Sequence, residues 1–339
     1  MRIGFLSAPA VPAALPRFVR LTALAAGLLG LLPSCSNDDE GEIFPPEVTN
    51  PARISVPQAG LSPEGIQYDE ANKRFYVSSR TKGTVGTVRD DSTYSEFGKD
   101  ARLISTIGLN LDAGRQRLLA AVSDNGFNPN FVNQPTLRKL AALAIFNSST
   151  GALTSYVNLA TLPAATAYPS HFANDIAVDK DGNAYITDSM SPIIYKVDLQ
   201  GNASVFLENA QLSGTGFGLN GIVYHPDGYL LTAKTSDGTL FKVPISNPAG
   251  FTTVAKTQSL VGADGLLLFD NNTLLVVSGS QATVFRMAST DAWATTTATG
   301  SFATGAVGAT TITKRGSDAY VLYPYNATAP RFKIVKAVF

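Results

Sequence analysis

The sequence predicts an all-β chain, a six-bladed β-propeller with four-stranded blades over residues 52–339, and three observations lead there. A phrase of about 45 residues returns six times from residue 61 onward: a glycine, an alternating apolar strand, an Asp or Asn turn, then further strands. The 29 glycines and 19 prolines are spread along 339 residues, as many short strands joined by turns require. Hydrophobic residues reach 45% against 15% charged, which excludes a disordered chain and supplies a large core. With 26 Lys and Arg against 26 Asp and Glu, no basic excess exists to bind a phosphate backbone, so nucleic acid is excluded as a partner.

Arg17 and Arg20 precede the apolar run from Leu21 to Leu32, followed by Pro33, Ser34 and Cys35, the order of a secretory signal over residues 1–34. The run is shorter than the roughly 20 residues a membrane-spanning helix needs. Leu32-Pro33-Ser34-Cys35 resembles the lipobox of bacterial lipoproteins, which implies acylation of Cys35 and its exposure as the first mature residue. An ordinary cleaved signal is the alternative, and both readings export the protein. Cys35 is the only cysteine, so neither an internal disulfide nor a multi-cysteine metal site can form. Residues 35–51 are acidic and then proline-rich, the composition of an extended tether. The expectation is a monomer anchored to the cell envelope by lipid alone.

The six copies start at Glu64, Ile107, Asn174, Asn220, Asp264 and Val307, each followed in the first, second, fourth, fifth and sixth by glycine. Their spacing is in the forties except between Ile107 and Asn174, where an Asn/Pro-rich loop, Asp124 to Leu137, accounts for the excess. The last copy supplies three strands only. Residues 52–56 (ARISV) have strand composition, so the sequence predicts that they close the ring as its missing outer strand.

Innermost strands of a propeller line a central tunnel, so equivalent positions of the copies converge on one ring at its mouth. Four of the six starting residues, Glu64, Asn174, Asn220 and Asp264, are oxygen donors. Buried carboxylates and amides gathered on an axis need a counter-charge, and two of each, without sulfur or imidazole, suit Ca²⁺, with Mg²⁺ a poorer fit. The alternative is that they are turn and cap residues bonding between blades.

The chain resembles the SMP-30/gluconolactonase/LRE-like family over roughly residues 52–339. The resemblance is carried by SPEGIQYDE with Glu64, FANDIAVDKDGNAYITDS with Asn174, GLNGIVYHPDG with Asn220 and GADGLLLFD with Asp264. It implies a metal held by these four residues, with Asp264 as catalytic base or nucleophile in the hydrolysis of a lactone or ester. His171, three residues before Asn174, is a candidate proton shuttle or substrate-orienting group. His225, in a turn away from the mouth, is expected to be structural, as are Asp175, which alternation turns away from Asn174, and Asp188. Tyr168, Phe172 and Phe217 are candidate wall residues, and Phe127 and Phe131 candidate cover for the pocket. No serine-hydrolase elbow, phosphate loop or dinucleotide fingerprint is present. Two functions follow: an exported calcium-dependent hydrolase acting on a small-molecule lactone or ester, or a non-catalytic, metal-braced propeller that binds a glycan or protein at the envelope.

Overall fold

The computed structural model describes residues 49–131, 135–324 and 331–339. The signal, Cys35 and nearly all of the tether therefore lie outside the described residues. Among the described residues twenty-five strands form six radial sheets, and the only helices are single 3-10 turns.

The first blade is β2 (Ile66–Asp69), β3 (Arg74–Val77), β4 (Val85–Val88) and β5 (Tyr94–Gly98). The second is β6 (Ser105–Asp112), β7 (Arg117–Ser123), β8 (Ala141–Asn147) and β9 (Leu153–Asn158). Blade three is β10 (Ala173–Val178), β11 (Ala184–Asp188), β12 (Ile193–Val197) and β13 (Ala203–Glu208). Blade four is β14 (Leu219–His225), β15 (Tyr229–Lys234), β16 (Leu240–Pro244) and the two-residue β17 (Thr252–Thr253). Blade five runs β19 (Ala263–Asp270), β20 (Thr273–Ser278), β21 (Thr283–Ala288) and β22 (Thr295–Ala303), and the short β18 (Ala255–Lys256) adds in parallel to β22. Blade six is β23 (Ile312–Arg315), β24 (Asp318–Tyr323) and β25 (Phe332–Ala337), completed by β1 (Arg53–Val56).

Ring closure follows the sequence expectation. β1 pairs antiparallel with β25, Arg53 opposite Val335 and Val56 opposite Phe332. Ile54 and Val56 point inward and are fully buried with Phe75, Tyr320 and Phe332, so one apolar cluster joins the first and last blades. Asn50 bonds Asp318, and Tyr320 donates to the Pro51 carbonyl, so the chain is engaged just before β1. Burial of such residues contributes roughly 1.5–3 kcal/mol per side chain, and here that energy ties the two ends of the chain together.

The long interval between the second and third copies has two sources. One is the β7–β8 connection, residues 124–140, where the sequence places it; the other is the β9–β10 connection, residues 159–172. Within the first, Asp124 is buried and holds its own turn by accepting from the Gly126 N–H and the Thr136 hydroxyl. Asn128, also buried, donates to the Ile104 carbonyl.

Candidate functional site

A common register fixes which residues meet on the axis. Ile66, Leu109, Ile176, Ile222, Leu266 and Ile312 are the equivalent buried residues of the six inner strands, paired with Val77, Ala120, Ile186, Thr232, Val276 and Val321. Two positions earlier lie Glu64, Ile107, Asn174, Asn220, Asp264 and Thr310. The first five are the ring residues the sequence predicts. The sixth is a correction: aligning the last copy on Gly308 selects Val307, whereas its apolar alternation, read from Ile312, selects Thr310. Val307 packs partly buried against the cluster of the fifth and sixth blades. Thr310 is buried, and its hydroxyl donates to the Glu64 carbonyl at 2.9 Å, so it is a fifth oxygen-bearing residue of the ring.

Four inner strands carry the same irregularity at this level. The pairing shifts between Thr106 and Leu109, Ala173 and Ile176, Leu219 and Ile222, and Ala263 and Leu266. Each shift is a β-bulge that re-aims the ring residue and the one after it. Glycine suits that second position because neighbouring strands nearly touch: a Cβ on Gly221 would run into the Asp264 carbonyl oxygen. Asp175 occupies it in blade three, within the bulge between Ala173 and Ile176. Its carboxylate accepts from the Ile176 N–H (2.9 Å) and, across to blade four, from the Ile222 N–H (3.2 Å). It also lines a polar channel of about 220 Å³ beneath the ring, with Gln67, Asn110 and Thr311.

Hydroxyls at the ends of the second strands set the ring side chains. Ser123, Ser189 and Thr235 each donate to the carbonyl just before the next blade's ring residue, those of Ala173, Leu219 and Ala263. With their protons so used, Ser189 and Thr235 accept from the amides of Asn174 (2.8 Å) and Asn220 (3.1 Å). In the first blade Ser78 Oγ accepts from the Glu64 and Gly65 N–H groups. Because Asn174 Nδ2 is spent on Ser189, its Oδ1 is the atom left over.

That oxygen has no partner. Among the described residues five buried side-chain atoms lack a hydrogen bond; three are hydroxyls, and the other two are Glu64 Oε2 and Asn174 Oδ1. Leaving such acceptors unsatisfied costs roughly 1–3 kcal/mol each, more for a charged group. Burial drives the Glu64 carboxyl well above the ordinary carboxylate range, and the charges of Asp264 and Asp175 push it further while Arg80 opposes them. Burial likewise pushes Asp264 up to about 7, against the lowering effects of Arg80 and of a hydrogen bond from Asn220. Asp175 is raised to about 7 by burial, in spite of its two backbone hydrogen bonds. Asp264 acts on Glu64, and Asp175 and Arg80 act on both, so these carboxyls, far apart in sequence, lie in one electrostatic neighbourhood.

The donor set is chemically that of a hard cation site: carboxylate and amide oxygens, two of them unsatisfied. No three His, Cys, Asp or Glu side chains cluster as a metal site would among the described residues, which accords with a set half composed of amides. Glu64, Asn174, Asn220 and Asp264 are the residues of this set that could hold such an ion.

His171 lies apart from these contacts, in a buried network. Its Nδ1 sits 2.8 Å from Asp188 Oδ2 and 3.1 Å from the Tyr195 hydroxyl, which also donates to Asp188. The other Asp188 oxygen accepts the Phe172, Met190 and Ser191 N–H groups. Asp188 thus fixes the segment that enters β10 and is structural, as the sequence suggests. His225 is structural as well, donating from Nε2 to the Asn271 carbonyl and stacking on Tyr229. Phe172 and Phe217 pack together 5.3 Å apart, and the Tyr168 hydroxyl donates to Glu208. Of the two phenylalanines expected to cover the pocket, Phe131 packs against the core of the first two blades, whereas Phe127 lies 4.7 Å from the Arg80 guanidinium.

No protein-family model matches the chain, and no curated protein matches its sequence. Solved structures do match. The Malassezia sympodialis allergen Mala s 1 aligns with a TM-score of 0.69 at 19% identity, over 85% of this chain and 96% of its own. A putative gluconolactonase aligns at 0.59 and 15% identity over 87% and 93%. A calcium-binding regucalcin from Agrobacterium tumefaciens aligns at 0.58 and 14% identity over 85% and 94%. These likenesses establish the propeller fold and place gluconolactonase- and regucalcin-type propellers among its structural neighbours.

Proposed function

We propose that the chain is a metal-dependent hydrolase of a lactone or related ester, a member in kind of the SMP-30/gluconolactonase group, and that its ion is Ca²⁺. The observation that carries the reading is the pair of buried, unpartnered acceptors, Glu64 Oε2 and Asn174 Oδ1, at two of the four positions where the sequence puts ligands. A calcium-binding neighbour and a putative gluconolactonase among the structural relatives support it.

Glu64, Asn174, Asn220 and Asp264 would hold the ion, which when bound polarises a carbonyl and stabilises the negative charge that develops on its oxygen. Asp264 is the general base in this scheme. Its carboxylate takes a proton from water as the oxygen adds to the carbonyl carbon, then returns it to the departing alkoxy oxygen when the ring C–O bond breaks. Direct attack by the same carboxylate is the covalent variant. His171, with Nδ1 engaged by Asp188, keeps Nε2 to orient substrate or relay a proton. Mature protein is expected to hydrolyse at least one member of a lactone panel and to lose that activity with EDTA and with Asp264→Ala, by about 10²–10⁴-fold for loss of a general base. Activity indifferent to both changes removes the mechanism.

The exported, lipid-anchored monomer belongs to the same proposal, with Cys35 as the acylated residue and the membrane met only through its lipid. Cys35→Ser should release the protein from the membrane fraction; retention of the variant there contradicts the anchor.

A further inference from the structure

Arg80 stands at the rim of the site with its charge uncommitted. Among the described residues no carboxylate forms an ion pair with it, although it reaches both Glu64 and Asp264 electrostatically. Its position is over-determined. The backbone N–H and Nε donate to the Ser62 carbonyl, at 3.4 and 3.2 Å, and Nη2 donates to the Ser62 hydroxyl at 2.7 Å. Its own carbonyl accepts from Ser105 at 2.6 Å. Ser62 is buried and held at a φ of +43°, the left-handed region a serine seldom occupies without compensation. Phe127, from the β7–β8 connection, covers a face of the guanidinium. With one edge tied to Ser62 and a face capped, the remaining N–H groups of the half-buried fork are left for a ligand.

We propose that Arg80 is the specificity residue of the site and that it binds a carboxylate on the substrate, so the preferred substrate is an acidic lactone or ester. This rests on the hydrolase reading. A cation kept solely to balance Glu64 and Asp264 would do so best in direct ion pairs, and Arg80 makes none among the described residues. Neither the strained Ser62 that ties its edge nor the aromatic cap on its face is needed for charge balance. Both are what holding a planar fork ready for a bidentate oxyanion requires.

The test pairs glucarolactone, which carries a free carboxylate, with gluconolactone of the same ring size, using the full mature chain with Ca²⁺. Wild type should favour the acidic lactone. Arg80→Gln should lower the ratio of kcat/KM for the acidic lactone over that for the neutral one about 10- to 100-fold, the loss of a charge-assisted bond, because any effect of the lost charge on Glu64 and Asp264 falls on both lactones alike. Arg80→Lys should recover part of the preference. An equal fall on both lactones, or none, overturns the proposal. Calorimetric binding of the open acids separates this from the hydrolase reading: even if no lactone is hydrolysed, wild type should bind glucarate more tightly than gluconate and Arg80→Gln should erase the difference. Equal binding of the two acids by wild type refutes the role of Arg80.

Discussion

Glu64→Gln should stabilise the protein in the absence of metal and remove its response to Ca²⁺. The glutamate is buried, one of its oxygens lacks a partner, and its carboxyl is raised by burial and by the charges of Asp264 and Asp175. Without a cation Glu64 is therefore a liability, because a carboxyl raised by burial costs either the desolvation of its charge or the uptake of a proton, and a neutral amide of the same shape relieves it. With a cation the sign reverses. At a free Ca²⁺ concentration about 100 times Kd, binding adds about 2.7 kcal/mol to wild-type stability, or about 4–5 °C in Tm for a domain of this size. If loss of the charged ligand weakens binding about 100-fold, the gain at the same concentration falls to about 0.4 kcal/mol, about 0.7 °C. Thermal unfolding at pH 8 in EDTA and in Ca²⁺ reads all four values, and the two proteins should exchange rank between conditions. A wild-type Tm indifferent to Ca²⁺, or a variant that gains as much as wild type, refutes the reasoning.

Other consequences follow from the same site. Because the folded-state pKa of Asp264 is raised from 3.8 to about 7, the metal-free folded protein holds more protons than the unfolded chain between about pH 4 and 7, and its stability should fall as pH rises through that window and level off above it. Ca²⁺ needs the ionised carboxylates, so its apparent affinity should climb over the same window; affinity independent of pH between 5 and 8 contradicts the titration. Ser189→Ala removes the acceptor that turns Asn174 Oδ1 toward the axis and should weaken Ca²⁺ binding about 10- to 100-fold by calorimetry, with unchanged affinity ruling out the orienting role.

The propeller was legible because its repeat expresses a packing need: each inner strand alternates so that one face meets the next blade, and that alternation survives in all six copies. The closing strand was legible for a related reason, since a three-stranded last copy leaves an edge that apolar Ile54 and Val56 can cover. Glu64, Asn174, Asn220 and Asp264 were singled out by register alone, and the strand pairing places them at equivalent positions of their blades. Register also misled, because glycine marks the close approach between strands while Ile or Leu two places beyond the ring residue marks the fold, and in the sixth blade the two disagree. Thr310 was lost for that reason. Asp175 holds backbone N–H groups of its own and the next blade, a structural role, but it sits in a bulge that a one-dimensional pattern does not show. Arg80 could not be read at all: its setting depends on Ser62 and Phe127, brought to it from a rim turn and another blade's loop.

The most direct measurement is a crystal structure of the Ca²⁺-soaked protein with anomalous data. A single ion bound at about 2.3–2.6 Å by oxygens of Glu64, Asn174, Asn220 and Asp264 is the predicted result. Glu64 and Asp264 turned to different partners, with only water between them at saturating Ca²⁺, would contradict it.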